Sequence, residues 1–275
     1  MPETEPMSRT VTAHIDLDVV QPGGKVVFAV AVVKSSGLAI DETLELTLDG
    51  KSVPVHEVIG VTGSRFHVVE PEQAGKLLLS YEASVVGRAD KPLVDEFDLI
   101  QYRRPSRYAE SDKLAAVAQR EFGELTDPQD LLAGVARWVG GHLSYVSGSS
   151  DPIDGSVDTY LLGQGVCRDY AHLVVAFLRA RNVPARLVAV YAPGLSPMDF
   201  HAVAEAFVEG EWRVVDGTLL APRSSLLRIG TGRDAADTAF LDSFGGAIAF
   251  NDVTVTAVVD GALPDDDPRT LVTLG

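Results

Sequence analysis

The apolar residues of this chain change period near Pro105, and that change limits the folds open to it. Upstream, Val11, Ala13, Ile15, Leu17 and Val19 alternate with more polar neighbours, as do Leu77, Leu79, Tyr81, Ala83 and Val85. Alternation puts one side of an extended chain against a core and the other in water. The stretch "KVVFAVAVVK" (Lys25 to Lys34) is rich in β-branched residues, and "TLELTLDG" (Thr43 to Gly50) alternates into a turn. Short runs spaced by Gly, Pro and Asp predict an antiparallel sandwich or barrel. No helical period of useful length precedes Pro105.

Beyond it the spacing becomes helical. "KLAAVAQREFG" predicts a helix opened by Ser111 or Asp112 and closed by Gly123. Asp127 and Pro128 suit the cap and first position of a second helix, whose apolar stripe is Leu131, Leu132, Val135, Trp138 and Val139. A polar loop then leads to a short helix near Thr159 to Leu162. "GQGVCRDYAHLVVAFLRARNVPARLVAVY" (Gly163 to Tyr191) predicts a helix from Cys167 with Leu173, Val174, Phe177 and Leu178 inward, then a strand. "HAVAEAFVEGEWRVVDGT" (His201 to Thr218) reads as a hairpin, and "IAFNDVTVTAVV" (Ile248 to Val259) as a late strand. "PDDDPRTLVTLG" has no clear place in a core and is expected to fray or pack loosely.

Composition narrows the partners. A net charge of −16 repels phosphate backbones and anionic lipid, so neither nucleic acid nor a membrane is expected as a partner. No apolar run approaches the roughly 20 residues of a membrane span. The start, "MPETEPMSRT", has neither the basic region nor the apolar stretch of a signal peptide. A single cysteine rules out an intrachain disulfide framework. These features together predict a cytoplasmic location.

That single cysteine, Cys167, stands where a helix is expected to begin. A thiol there sits among unpaired N–H groups at the positive end of the helix dipole, which favour the nucleophilic thiolate. The same N–H groups suit a developing oxyanion. A thiolate nucleophile wants a histidine, and the histidine an orienting carboxylate. His14, His56 and His67 read as surface strand residues, His142 as a helix end, and His172 as a helix-face packing residue. His201 opens the predicted hairpin. If Glu209–Gly210 is its two-residue turn, paired numbers sum to 419, and Asp216 falls opposite Val203, diagonal to His201 and on its face. A three-residue loop without a bulge would put Asp216 on the other face. Asp169 is expected to bond first-turn N–H groups or to pair with Arg168. Glu205 shares the face of His201, Tyr145 and Gln164 are candidate oxyanion donors, and Asp154 and Asp158 belong with turns and caps.

"GQGVCRDYAHL", "FHAVAEAF" and "WRVVDGT", in this order and spacing, resemble the core of the transglutaminase-like superfamily. More narrowly, they are similar to its bacterial members of cysteine-protease type, which carry an N-terminal β domain. "RRPSRYAESD" and "APRSSLLRIGTGRDAADTAF" also resemble blocks of that subfamily. The resemblance implies an α+β protein: an antiparallel β-sandwich over residues 1–105, a papain-like, transglutaminase-like core over 106–260, and a tail over 261–275. It also implies Cys167 as nucleophile, His201 as general base and acid, and Asp216 as the orienter. Where many members have His-Ala-Trp and Asp-Pro-Thr, this chain has His201–Ala202–Val203 and Asp216–Gly217–Thr218. No calcium-loop pattern is visible, and neither a cofactor nor a metal is expected. The expected activity is acyl transfer from a peptide or protein amide through a thioester. Water as acceptor makes an amidase or peptidase, the preferred reading, and an amine makes a crosslinker. The alternative is a catalytically silent fold that binds proteins.

Overall fold

The computed structural model describes residues 7–275. Its first strands are β1 (Ser8–Gln21), β2 (Lys25–Phe28), β3 (Leu38–Leu48), β4 (Lys51–Ser52), β5 (His56–Ile59), β6 (Arg65–Val69) and β7 (Gly75–Gly87). Alternation does what it predicted in β1 and β7. Val11, Ala13, Ile15, Leu17, Val19, Leu77, Leu79, Tyr81, Ala83 and Val85 all lie in one core. The helices follow: α1 (Glu96–Gln101), α2 (Ala115–Phe122), α3 (Pro128–His142), α4 (Ser156–Leu162) and α5 (Cys167–Ala180). Two short strands, β8 (Ser144–Tyr145) and β9 (Gln164–Gly165), pair in parallel between them. The remaining strands are β10 (Ala185–Tyr191), β11 (Phe200–Val208), β12 (Glu211–Val215), β13 (Leu227–Gly232), β14 (Leu241–Phe244) and β15 (Ala247–Val259). The protein is thus α+β, with antiparallel sheets.

Sheet order departs from the expected division at residue 105. One sandwich sheet runs β15-β1-β7-β3-β4 and the other β14-β2-β6-β5. The late strand expected in the second half instead pairs with β1 from Arg9↔Val259 to Gln21↔Ala247, and β14 pairs with β2. An alternating pattern identifies a strand and its buried face, but not its neighbour. The β-branched-rich stretch from Lys25 to Lys34 is only partly strand, because β2 ends at Phe28. Residues 29–33 are buried and bridge outward: Val33 N–H donates to Arg228 O at 2.9 Å, and the Tyr191 hydroxyl donates to Val30 O at 2.8 Å.

The third sheet, β12-β11-β10-β13, carries α5 on one face. Leu173, Val174, Phe177 and Leu178 are wholly buried, as are Val175 and Ala176, so α5 is enclosed on all sides by α2, α3, α4 and the sheet. Asp127 caps α3 by accepting the Asp130 N–H at 3.0 Å, with Pro128 at the first position. Helix α1 escaped sequence reading because its six residues bury none of their number, leaving no apolar stripe. Its one signal is Asp95, which accepts the Phe97 N–H at 2.9 Å.

The C-terminal residues are packed and not frayed. Val214 N–H donates to Val272 O at 2.8 Å, Arg223 pairs with Asp266 at 2.7 Å, and Leu274 is 3% exposed. The charged run "PDDDP" hid this, since Asp266 finds its partner 43 residues upstream.

Candidate active site

Helix α5 begins at Cys167, and its first turn is shaped by a backbone contact only glycine allows. A Cβ on Gly165 would lie 2.6 Å from the Asp169 Cβ. The close approach lets Asp169 reach back and accept the Val166 N–H at 2.8 Å, one half of a capping box. Its other oxygen accepts from Ser150 Oγ at 2.9 Å, while Arg168 donates to Asp151 O at 2.6 Å. The acidic neighbour of the cysteine thus holds the helix start and the loop before it, as its position suggested. Asp154 and Asp158 likewise accept backbone N–H groups, of Asp151 and Gly155.

The hairpin has the expected register. Val208 pairs with Glu211 and Ala204 with Val215, so paired numbers sum to 419 and Asp216 follows directly on the last pair. His201 and Asp216 are both buried, and His201 Nε2 donates to Asp216 Oδ2 at 3.0 Å. Burial opposes charge on the imidazole, but the Asp216 carboxylate and its hydrogen bond, with the Cys167 side chain, hold the His201 pKa well above the ordinary value. Burial would raise the Asp216 carboxyl, yet His201 and Thr218 hold it down. Thr218 went unnoticed in the sequence. Its N–H and hydroxyl donate to Asp216 Oδ1 at 2.7 and 2.8 Å, fixing the carboxylate that in turn fixes the imidazole. An aspartate that binds the backbone two residues on is a readable turn signal in Asp216–Gly217–Thr218.

With Nε2 engaged, His201 Nδ1 is left buried and without a partner. The Cys167 side chain is near enough to the ring to help raise the imidazole pKa, and its Sγ is 3.9 Å from the Phe200 carbonyl oxygen. Tyr145 comes near the cysteine because β8 pairs Tyr145 with Gly165, two residues before it. Burial and the neighbouring thiol push the Tyr145 phenol up to about 12, so it stays a donor at neutral pH.

The other candidates lie apart. His172 is fully buried in α5, stacks on Tyr108 with ring centroids 5.4 Å apart, and accepts the Ala235 N–H at 3.1 Å. Glu205 bonds Arg186 and Arg228 and not the histidine. His67, expected at the surface, is buried beside Glu57, because Arg65, His67 and Val69 all face inward on β6. The inward row is masked in sequence by its charges, which Glu42 and Glu57 neutralise.

A cysteine at the start of a buried helix, against an antiparallel sheet that bears a histidine–aspartate pair, belongs to a cysteine-based enzyme fold. Comparisons make this specific. The transglutaminase-like superfamily matches residues 115–217. The crystal structure of a "putative cysteine protease" from Cytophaga hutchinsonii is 30% identical, with a TM-score of 0.88 over 98% of this chain and 96% of that one. The chain belongs to the transglutaminase-like superfamily. It is also 25% identical over 159 residues to the uncharacterized protein ML0607 of Mycobacterium leprae, a match spanning 54% of this chain and 55% of that protein. The periplasmic domain of TgpA from Pseudomonas aeruginosa aligns over 79% of this chain and 88% of its own, at 19% identity and a TM-score of 0.42. No helix among the described residues is long and apolar enough to cross a membrane.

Proposed function

We propose that this protein is a cysteine amidase or peptidase acting by acyl transfer. The observation that carries the reading is a cysteine at the first residue of α5 beside the buried His201–Asp216 pair. With the proton held on His201 Nδ1, the Cys167 Sγ bonds the amide carbonyl carbon. The tetrahedral oxyanion is met by the Cys167 N–H and the Tyr145 hydroxyl. The carbon–nitrogen bond then breaks, His201 returns the proton to the departing amine, and a thioester remains. Water attacks that thioester, with His201 again taking the proton, and releases the acid and the thiol. Asp216, held by Thr218, keeps the imidazole turned and supports its charge.

Alkylation by iodoacetamide, read by intact mass, tests the pair at one site because the chain has one cysteine. The expected result is labelling that persists well below the ordinary thiol pKa of about 8.5 and slows at least roughly tenfold in His201→Ala. Since His201 is buried, His201→Gln serves as a second variant, and circular dichroism verifies the fold of both. Labelling that rises only in alkali and ignores both variants overturns the enzyme reading in favour of a binding module. Peptide amides assayed with and without an added primary amine then separate hydrolysis from crosslinking.

A further inference from the structure

The turn that follows Asp216 carries a strained residue. Leu219 has φ of 54°, a left-handed conformation that is costly for a side chain with a Cβ. Among the described residues, the other non-glycine residues with positive φ are Asp49, Asn182 and Glu209. Asp and Asn adopt it more readily, and Glu209 sits in the hairpin turn that requires it. Leu219 has neither reason, and burial of its side chain does not supply one, since the residue is 48% exposed. The hydrogen bonds on either side of it do. Past Leu219 the chain turns back, and the Leu220 N–H donates to Thr218 Oγ at 3.3 Å. That hydroxyl donates in turn to Asp216 Oδ1 at 2.8 Å, while Asp216 Oδ2 accepts from His201 Nε2 at 3.0 Å. Thr218 Oγ also lies 3.5 Å from His201 Nε2. A hydroxyl both donates and accepts, so an unheld one would compete with the carboxylate for the imidazole N–H. The Leu220 N–H engages its oxygen and leaves its proton for Asp216.

We propose that Leu219 is a positioning residue for the reaction. Its left-handed backbone brings the Leu220 N–H to Thr218, which holds Asp216 on His201 Nε2 and leaves Nδ1 free to carry the thiol's proton. The proposal rests on the enzyme reading above. A sparsely populated backbone conformation persists only where the surroundings over-determine it, and here the bonds that do so end on the histidine–aspartate pair.

The test changes the backbone preference at position 219 in the full chain. Leu219→Gly and Leu219→Asn accept a positive φ readily, whereas Leu219→Ile keeps the volume and apolar character of leucine but resists it. Iodoacetamide labelling of Cys167 is followed by intact mass across about pH 5 to 9, beside the downfield proton resonance of the His201 Nε2–H. In Leu219→Ile the rate at about pH 6 should fall roughly tenfold, the profile should move toward the ordinary thiol pKa of about 8.5, and the resonance should vanish. Leu219→Gly and Leu219→Asn should hold both the parent's profile and the resonance. A residue that only stabilised the turn would lower the melting temperature and move neither readout. Thr218→Val, which keeps the shape without the hydroxyl, should repeat the loss and Thr218→Ser should not, so the proposal stays falsifiable if Leu219→Ile does not fold. The parent's profile in Leu219→Ile or in Thr218→Val overturns the positioning role alone, as does its loss in Leu219→Gly. Slow, alkaline-only labelling of the parent protein instead removes the enzyme reading and the positioning role with it.

Discussion

Glu205→Gln is expected to cost the fold about 3 kcal/mol near neutral pH. Glu205 is wholly buried on β11, two turns of the pleat beyond His201. One oxygen accepts from Arg228 at 2.7 Å; the other accepts from Arg186 at 2.8 Å and again from Arg228 at 2.9 Å. Arg186 is itself buried and lies 3.9 Å over the Trp212 ring. Burial opposes the carboxylate, but the two guanidinium groups overcome it and lower the pKa from 4.5 to about 2. At about 1.4 kcal/mol per pH unit, that drop corresponds to roughly 3 kcal/mol. Removing one partner of a buried ion pair independently costs about 3–5 kcal/mol, because the remaining charge is stranded. For a chain of this size the melting temperature should fall by roughly 10 °C. The folded pKa is depressed, so this stability is present above the ordinary carboxyl pKa and is lost as pH falls from about 4.5 toward about 2. Thermal unfolding followed by circular dichroism at several pH values should therefore show a gap between the two proteins that closes in acid. A variant melting within about 2 °C of the parent near neutrality would refute the reasoning, as would a gap of constant size across that range.

Two further outcomes follow from buried groups elsewhere. His172→Gln keeps an acceptor for the Ala235 N–H but removes an imidazole that burial pushes down to about 3, so the fall of melting temperature between about pH 6.5 and pH 3 should flatten. The unfolded chain binds a proton there that the folded parent refuses, and parallel slopes in parent and variant would count against it. Leu274→Ala should lose about 2–5 kcal/mol in denaturant unfolding if the C-terminal segment is core, and an unchanged midpoint would return it to a loose tail.

What could be read from the sequence divides along the distance between partners. The hairpin was legible because its register depends on two adjacent residues. Glu209 and Gly210 both take left-handed backbone, with φ of 52° and 80°, as the tightest antiparallel turn requires. Once the turn has two residues, the placing of Asp216 against His201 follows from counting. The start of α5 was legible for a similar reason, since Gly165, Val166 and Asp169 settle it among themselves.

The pairing of β15 with β1 had no such mark. Arg9 and Val259 are neighbours across the sheet, but nothing in either stretch specifies the other beyond alternation, which every strand shares. Core burial selects among the permitted neighbours, and that selection is a property of the whole chain. The same limit explains which parts of the candidate site were missed. Cys167, His201 and Asp216 lie on α5 and one hairpin, and sequence reasoning brought them together. Tyr145 stayed one candidate among others because it comes near Cys167 through the parallel pairing of β8 with β9, a contact between residues 20 apart that no local motif marks. A site assembled partly from such pairings shows its chemistry in short motifs and its remaining members only in the topology.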